Sequence, residues 1–392
     1  AVCVTNDWFT GLTAAYAKIG HFGDTFSGTC FLHICHNLQE TYEGRIWLDV
    51  KDGGLEGLHQ LPRDWLIDPQ WKGNMVNPSR CAIMLSDQWA TVSKSYREDL
   101  LNSSTLAGLL RQKPHPFAYP NGIPIAERVR ILDKSAPDHL TAKKYLQQKY
   151  FNFGELDDSI PMFSFVGRVT AQKGVHLILD IAEHIIHKFE YKVQFLVGGP
   201  ANMKEPYSAG CAHKMWALRN KYPNCFWAAP DDFFTDGALV NRGSDFGLMP
   251  SVFEPGGIVQ HEFFVGGTPV IAFKTGGLKD SVLEYNWDTQ EGSGYTFESH
   301  TTGDFIFAMD RALGTFKNKK QYLKLRENAF KATMCGEIVS KAWLSEFYRL
   351  RGKIFIDYTV VAKLTKQFPP WRPEDYVPIS IIQEIFGSDK KK

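Results

Sequence analysis

Two glutamates, Glu254 and Glu262, are the residues of this chain whose type and spacing most clearly suggest a catalytic or binding role. They lie eight positions apart, just over two turns of an α-helix, so both carboxylates can face one cleft. Gly256, Gly257 and Ile258 stand between them at the start of a predicted helix. Backbone N–H groups at the start of a helix can hold an anion, typically a phosphate. The segment therefore predicts an anion-binding turn with Glu254 at its mouth.

The flanking residues predict the elements that hold this turn. An apolar run, Phe246 to Met249, precedes it, a helix is predicted over Ile258 to Val265, and a second apolar run, Pro269 to Phe273, follows. A strand, a glycine-rich turn, a helix and a strand make a βαβ unit, whose crossover should be right-handed. The same alternation begins at Ser159. We therefore predict a parallel sheet covered on both faces, with ligands at the carboxyl ends of its strands.

A second chemically suggestive group follows a predicted strand, Ser159 to Val166. Residues 167 to 174 read G-R-V-T-A-Q-K-G, and a helix follows over Val175 to Phe189, where apolar residues recur with a period of about 3.6. Arg168 and Lys173 lie together on this turn. They are either a pair of phosphate-binding cations or two solvated surface charges. The sequence is not a P-loop, because G-x-x-x-x-G-K-[ST] cannot be laid over it.

These stretches together resemble the glycogen and starch synthases, retaining glycosyltransferases with the GT-B fold. P-S-V-F-E-P-G-G (250 to 257) and T-G-G-L-K-D (275 to 280) flank an E-x7-E pattern like that of the family, and residues 167 to 174 resemble S-R-L-T-x-Q-K-G. N-D-W-F-T-G-L (6 to 12) resembles D-W-H-x-G-L, and His36-Asn37 matches V-H-N. Asn121-Gly122-Ile123 resembles N-G-I/V-D, with Pro124 in the position of the Asp. The resemblance covers most of residues 1 to 350.

The resemblance implies a role for each matching residue. Arg168, Lys173 and Glu254 would be catalytic: the two cations stabilise the departing diphosphate, and the carboxylate orients sugar hydroxyls. The remaining donor-side residues would be Gly167, Gly256, Gly257, Ile258, Glu262, Asn121, His36 and Thr275. The sugar or acceptor side would comprise Asp7, Trp8 and Asn37. The substrates implied are ADP- or UDP-glucose and an α-1,4-glucan, with front-face displacement and retention.

Several positions depart from the family pattern. Phe9 stands where the family has a histidine that reaches the donor sugar, and Glu262 is acidic, as in sucrose-type relatives. A base-stacking aromatic residue is expected near Asp231, with Phe233 and Phe234 as neighbouring substitutes. The family's early K-x-G-G-L segment has no counterpart after Ala1, so we expect an N-terminally incomplete first domain. Asn121 can equally belong to a plain turn, and His36 can equally be a strand-end residue hydrogen-bonded to backbone.

The predicted fold class is α/β and GT-B-like, with two doubly wound, Rossmann-like domains facing a cleft. We expect a partial acceptor-side domain over residues 1–155, completed by a C-terminal helix over 338–353. A nucleotide-sugar domain should span 156–337. Residues 354–392 form an extension with no matching family element, and a protein partner would bind there.

Composition limits the remaining possibilities. The net charge of +1 and the lack of long apolar runs predict neither a nucleic-acid nor a membrane partner. Seven cysteines without metal-ligand spacing predict reduced thiols in the cytoplasm. No D-x-D occurs, so we expect neither a metal nor another cofactor. Two functions stay open: a metal-independent glucan-elongating enzyme, and a catalytically weakened homologue that acts as a glucan-binding or scaffold subunit.

Overall fold

The structure is a computed structural model that describes residues 1–47, 59–71 and 75–354. The described chain forms two compact units, one of Ala1–Pro120 with residues 337–354, and one of Asn121–Gly336. The boundary predicted at residue 155 therefore differs from the observed division. Residues 121–155 belong with the second unit because their apolar side chains are buried there, as Leu146 is beside Val240. The extension predicted over 354–392 lies outside the described residues, apart from residue 354.

The first unit contains a parallel sheet in the order β1-β2-β5-β6. Its core joins residues of these strands, such as Leu32 and Phe117, to Ala342 and Leu350 of the last helix. A short antiparallel pair, β3 with β4, lies between β2 and β5 along the chain; residues 48–58 and 72–74 of this segment lie outside the described residues. The strands are β1 Val2–Asn6, β2 Cys30–Cys35, β3 Ile46–Trp47, β4 Met75–Val76, β5 Gln88–Thr91 and β6 Phe117–Ala118.

Helices of the first unit connect these strands. Several begin at a side-chain cap, as where Asn77 and Ser93 accept hydrogen bonds from backbone N–H groups of the first helical turn. Short 3-10 turns cover Trp8–Thr10, Gly23–Phe26 and Glu40–Tyr42. The helices are α1 Thr13–Lys18, α2 Arg63–Leu66, α3 Pro78–Leu85, α4 Lys94–Ser103, α5 Ala107–Leu110 and, from the far end of the chain, α15 Gly336–Ile354.

The second unit contains a parallel sheet in the order β12-β11-β10-β7-β8-β9, with helices on both faces. This confirms the predicted doubly wound sheet. Because β10 pairs with β7, two segments far apart in sequence end side by side at the carboxyl edge. The strands are β7 Met162–Val166, β8 Gln194–Gly198, β9 Phe226–Ala228, β10 Phe246–Met249, β11 Val270–Phe273 and β12 Gly294–Phe297.

The helices of this unit follow the predicted apolar pattern. In α8, for example, Val175, Ile178, Leu179 and Ile186 are all buried. The helix predicted from Ile258 begins one residue later, since Ile258 has non-helical backbone angles. The helices are α6 Ile125–Ser135, α7 His139–Tyr150, α8 Val175–Lys188, α9 Pro206–Lys221, α10 Gly237–Gly243, α11 Val259–Val265, α12 Gly276–Ser281, α13 Thr302–Lys317 and α14 Lys319–Lys331, with a 3-10 turn at Ala171–Lys173.

A buried ion pair fixes the start of β10. The Lys143 ammonium lies 2.8 Å from the Asp245 carboxylate, and each side chain is 1% exposed. Asp245 also accepts hydrogen bonds from the Met162 backbone N–H at 2.7 Å and the Tyr322 hydroxyl at 2.5 Å. Burial alone would raise the pKa of Asp245, but Lys143 and His139 hold it well below its ordinary value. The network thereby ties α7 and α14 to the strand that leads to Glu254.

Within residues 1–47, 59–71 and 75–354, none of the helices is both long and apolar enough to cross a lipid bilayer.

Candidate active site

The two motif loops of the second unit are fastened to each other by backbone and side-chain hydrogen bonds. The backbone N–H of Val252 donates to the carbonyl oxygen of Gln172 at 2.9 Å. The Gln172 side-chain amide donates to the carbonyl oxygen of Phe253 at 3.0 Å. Gln172 was not predicted as a site residue, although it lies inside the motif. It holds the loop after β7 against the loop after β10, so Lys173 and Glu254 meet.

Gly174 allows this close approach of the two loops. Its φ is +63°, and a Cβ atom there would lie 2.0 Å from the carbonyl oxygen of Pro250. The His300 ring reaches the same carbonyl oxygen at 2.8 Å. Any other residue at position 174 would both strain the backbone and push the two loops apart.

Lys173 and Glu254 form the central contact of the site. The ammonium lies 2.5 Å from a carboxylate oxygen, and the two side chains are only 17% and 10% exposed. Arg168, at the carboxyl end of β7, is exposed and makes no ion pair within the described ranges. A half-buried cation fixed by a carboxylate and a second, accessible cation are an arrangement that can hold a diphosphate.

A glycine turn completes the loop around Glu254. Gly257 has a φ of +60°, and α11 starts after Ile258 without a side-chain cap, so backbone N–H groups of the first turn can serve a ligand. The backbone N–H of Gly277 donates to the Glu254 carbonyl oxygen at 2.8 Å. The Thr275 hydroxyl donates to the carbonyl oxygen of Val252 at 3.2 Å. These two hydrogen bonds from the T-G-G segment therefore hold the turn that carries Glu254 in place.

Glu262 has a different partner. Its carboxylate lies 2.8 Å from the guanidinium of Arg128 on α6. Sequence reasoning missed Arg128, because it precedes Glu262 by 134 positions and belongs to no motif. The structure thus places one acid of the E-x7-E pattern on Lys173 and the other on Arg128. The ribose-binding role of Glu262 stays a prediction.

Asn121 lies at the start of the second unit. The next residues run beside the end of that unit: the Ile123 N–H donates to the Met334 carbonyl oxygen at 2.9 Å, and the Gly336 N–H donates to the Ile123 carbonyl oxygen at 2.8 Å. A Cβ atom on Gly122 would lie 2.6 Å from the Gly336 Cα atom. The Asn-Gly pair is therefore part of a tightly packed turn, and a donor-binding role of Asn121 stays a prediction.

The predicted residues of the first unit gather at the ends of β1 and β2. One Asp7 carboxylate oxygen accepts hydrogen bonds from the backbone N–H groups of His36 at 2.8 Å and Asn37 at 3.2 Å. The His36 ring lies 2.9 Å from the Asn6 side-chain oxygen. Trp8 stacks on Phe9, with ring centroids 4.0 Å apart. Asp7 therefore organises this cluster, and His36 has a side-chain partner rather than the backbone partner considered from sequence.

The region of the expected base-stacking residue lies beyond β9. Asp231 and Asp232 are exposed, as expected for solvated loop residues. Phe233 is 81% exposed, whereas Phe234 packs near Trp227, with ring centroids 5.9 Å apart. These aromatic residues line a small cavity of about 160 Å³. Phe233 is therefore the accessible ring of the two candidates.

Two further features lie away from these loops. A groove of about 560 Å³ is lined by Pro161, Lys192 and Leu313, at the amino ends of β7 and β8, and includes none of the predicted site residues. Across the part of the chain that the structure describes, no three histidine, cysteine, aspartate or glutamate side chains come together as a metal site would require.

Comparisons with known proteins cover most of the chain. Residues 1–112 match the family described as starch synthase catalytic domain, and residues 147–332 match glycosyl transferases group 1. A glycogen synthase from Oceanobacillus iheyensis is 26% identical over 367 residues, which cover 89% of this chain and 72% of that protein. The chain is a relative of the glycogen and starch synthases. This confirms the resemblance found in the motifs.

Other relatives agree with this relationship. A glycogen synthase from Thermosipho africanus is 29% identical over 366 residues, covering 89% of this chain and 71% of that protein. Among solved structures, the catalytic domain of starch synthase IV from Arabidopsis thaliana, bound to ADP and acarbose, superposes with a TM-score of 0.71 at 22% identity. It covers 90% of this chain and 72% of that one. This structural likeness confirms the GT-B fold, and the relationship to these synthases favours the enzyme over the scaffold hypothesis.

Proposed function

We propose that this protein transfers a glucosyl unit from ADP- or UDP-glucose to an α-1,4-glucan, with retention. The observation that carries the proposal is the Lys173–Glu254 pair at 2.5 Å, set in a glycine turn, with the exposed Arg168 on the same loop as Lys173. The relatives named glycogen synthase support it. The structurally similar starch synthase IV domain, which was solved with ADP and acarbose bound, also supports the proposal.

The proposed mechanism places positive charge where the leaving group gains negative charge. Arg168 and Lys173 would contact the diphosphate, together with backbone N–H groups of Gly257 and Ile258. Charge-assisted hydrogen bonds strengthen as the glycosidic C–O bond breaks, so they stabilise the transition state more than the bound substrate. Glu254 holds the Lys173 ammonium in place, and its remaining lone pairs can accept hydrogen bonds from sugar hydroxyls.

Front-face displacement would complete the transfer. The acceptor hydroxyl oxygen forms its bond to the anomeric carbon on the side from which the diphosphate leaves, and the hydroxyl proton passes to a diphosphate oxygen. Glu254 serves as a hydrogen-bonding group rather than a covalent nucleophile in this scheme, because the acceptor oxygen attacks the anomeric carbon directly. The configuration at the anomeric carbon is retained.

We further propose that the reaction needs no divalent metal and takes place in the cytoplasm. Two cations and the start of a helix supply charge stabilisation of the kind that a metal supplies in other transferases. All seven cysteines are free thiols in the structure, and five of them lie in strands or helices that no disulfide crosslinks. Free thiols persist in a reducing compartment.

The test is incorporation of labelled glucose into glycogen from ADP-glucose and, separately, UDP-glucose. Each assay is run with EDTA and with added magnesium. We expect incorporation with one donor at equal rates under both conditions, and loss of most turnover in Arg168→Lys, since a point charge cannot reproduce the guanidinium fork. Arg130→Lys, an exposed arginine on α6, is the matched control. Intact glucan binding without incorporation from either donor would favour the scaffold hypothesis instead.

A further inference from the structure

An exposed aromatic stack stands at the carboxyl end of β1. Phe9 is 68% exposed. Its ring lies nearly parallel to that of Trp8, with centroids 4.0 Å apart and an interplanar angle of 26°. The Tyr42 ring meets Phe9 edge-on at 6.4 Å. One face of the Phe9 ring is thus covered by an indole, and its exposure leaves the other face to solvent.

The stack has a rigid base. A Cβ atom on Gly44 would lie 2.5 Å from both Cβ and Cγ of Trp8, so the indole rests directly on the Gly44 backbone. The order from inside to outside is therefore Gly44, Trp8, Phe9. Because the indole of Trp8 is already in contact with the Gly44 backbone, the stacked rings cannot move further towards the protein interior.

A buried polar network fixes the segment that carries Gly44. The Glu43 side chain is fully buried and accepts hydrogen bonds from the Thr105 hydroxyl and, at 2.5 Å, from the Asn77 side-chain amide. The Arg45 guanidinium lies 2.9 Å from Glu43 and 3.2 Å from Asp68. Buried charged groups that pair with each other in this way hold their backbone in one position. Tyr42 and Gly44 are therefore fixed supports.

The residue before the stack is fixed as well. Asp7 has a φ of 47°, an uncommon value for a residue other than glycine, and its carboxylate accepts the backbone N–H groups of His36 and Asn37. The Thr10 hydroxyl donates to the Asn6 carbonyl oxygen at 2.8 Å and closes the turn. A strained backbone that its surroundings hold in place is common at ligand sites. Here it holds Trp8 in place and presents the Phe9 ring outwards.

We propose that Phe9, stacked on Trp8, is a platform for one glucosyl ring of the acceptor α-glucan; this rests on the function proposed above. A pyranose ring has an apolar C–H face and polar edges. The platform offers a flat apolar face, and the His36 and Asn37 side chains at the neighbouring end of β2 are polar and half-buried. Phenylalanine has no hydrogen-bond donor, so it cannot make the polar contact that a histidine at this position implies. Its ring can only stack.

Titration of maltoheptaose and of ADP into the purified chain, by calorimetry, tests the platform. Phe9→Ala should weaken maltoheptaose binding about three- to tenfold, the usual worth of an aromatic contact, and leave ADP binding unchanged. Phe9→Leu, which stays apolar but loses the ring, should bind as weakly as Phe9→Ala, whereas Phe9→Tyr should bind like wild type. In the transfer assay, the KM for glucan should rise and kcat should stay within twofold.

The matched control is Phe22→Ala. Phe22 is also exposed, at 54%, and belongs to the same unit, but it meets Phe26 edge-on, and among the described residues no ring stacks on it. It should bind both ligands like wild type. Because Phe9 is mostly exposed, its variants should keep the wild-type melting temperature, which is measured alongside.

The outcomes separate this inference from the proposed function. If Phe9→Ala binds maltoheptaose like wild type, or if it weakens ADP instead of glucan, the platform is wrong. If wild type binds no maltoheptaose, both proposals fail. If wild type binds maltoheptaose through Phe9 but transfers no glucose, the platform stands and the proposed enzyme activity fails.

Discussion

Replacing Lys173 by methionine removes the central cation of the site and keeps most of the side-chain volume. The change has two separable effects. Glu254, which is 8% exposed, loses the ammonium at 2.5 Å. An unpaired carboxylate at this burial should lower the free energy of unfolding by about 2 kcal/mol. The bound diphosphate would also lose one contact that tightens in the transition state, which should raise the barrier by about 3 kcal/mol, or lower turnover on the order of a hundredfold.

The two effects are measured by different experiments. Urea unfolding gives the loss of stability, and labelled glucose incorporation gives kcat and the donor KM. The matched control is Lys214→Met. Lys214 pairs with Asp180 at the same distance of 2.5 Å, but the side chains are 45% and 42% exposed. That pair should contribute less than about 1 kcal/mol, and its loss should leave turnover unchanged.

Adding Glu254→Gln to Lys173→Met sharpens the test. The double variant no longer carries a buried unpaired charge, so it should regain most of the lost stability. Its turnover should stay low, because the cation is still missing. The reasoning would be refuted if Lys173→Met kept wild-type turnover, or if Lys214→Met lost as much turnover as Lys173→Met.

Three further predictions concern stability and loop geometry. Gly174→Ala should weaken ADP binding at least tenfold in calorimetry, because its Cβ would lie 2.0 Å from the Pro250 carbonyl oxygen on the other motif loop. The control is Gly210→Ala, in an open helical position, which should bind ADP normally and be more stable than wild type by about 0.5 to 1 kcal/mol. Burial lowers the pKa of His261 from 6.5 to about 4, so the folded state binds fewer protons. The contribution of His261 to the stability of the protein is therefore complete above pH 6.5 and is lost as the pH drops towards 4, by about 2 kcal/mol at pH 5. Urea unfolding at pH 7 and pH 5 should show a smaller loss of stability in His261→Gln than in wild type, and equal losses would contradict the assignment. Lys143→Met leaves Asp245 fully buried without its cation and should cost about 3 to 5 kcal/mol in urea unfolding, most of it recovered when Asp245→Asn is added; a single variant as stable as wild type would show that the pair is unimportant.

The sequence by itself predicted the parallel sheet of the second unit and the two motif loops. It could do so because each signal is local. Apolar runs such as Phe246 to Met249 mark strands, the 3.6 period marks α8, and glycine is required where the backbone turns into a positive φ, as at Gly174. The motif residues Lys173 and Glu254 were named for the same reason, since each sits in a recognisable turn.

Only the tertiary structure decided which of these residues meet. Lys173 and Glu254 are 81 positions apart and come together because β10 pairs with β7, an arrangement that no local period encodes. Arg128 reaches Glu262 across 134 positions, from a helix that sequence reasoning gave to the other domain.

The stack at Phe9 shows the same limit. The sequence marks Phe9 as a departure from a family pattern, which by itself argues for lost activity. Its exposure and its place above Trp8 and Gly44 depend on a segment more than thirty positions away. The local sequence specifies the backbone conformation and which residues of a helix or strand are buried. Contacts between distant segments depend instead on how the whole sheet and its loops pack.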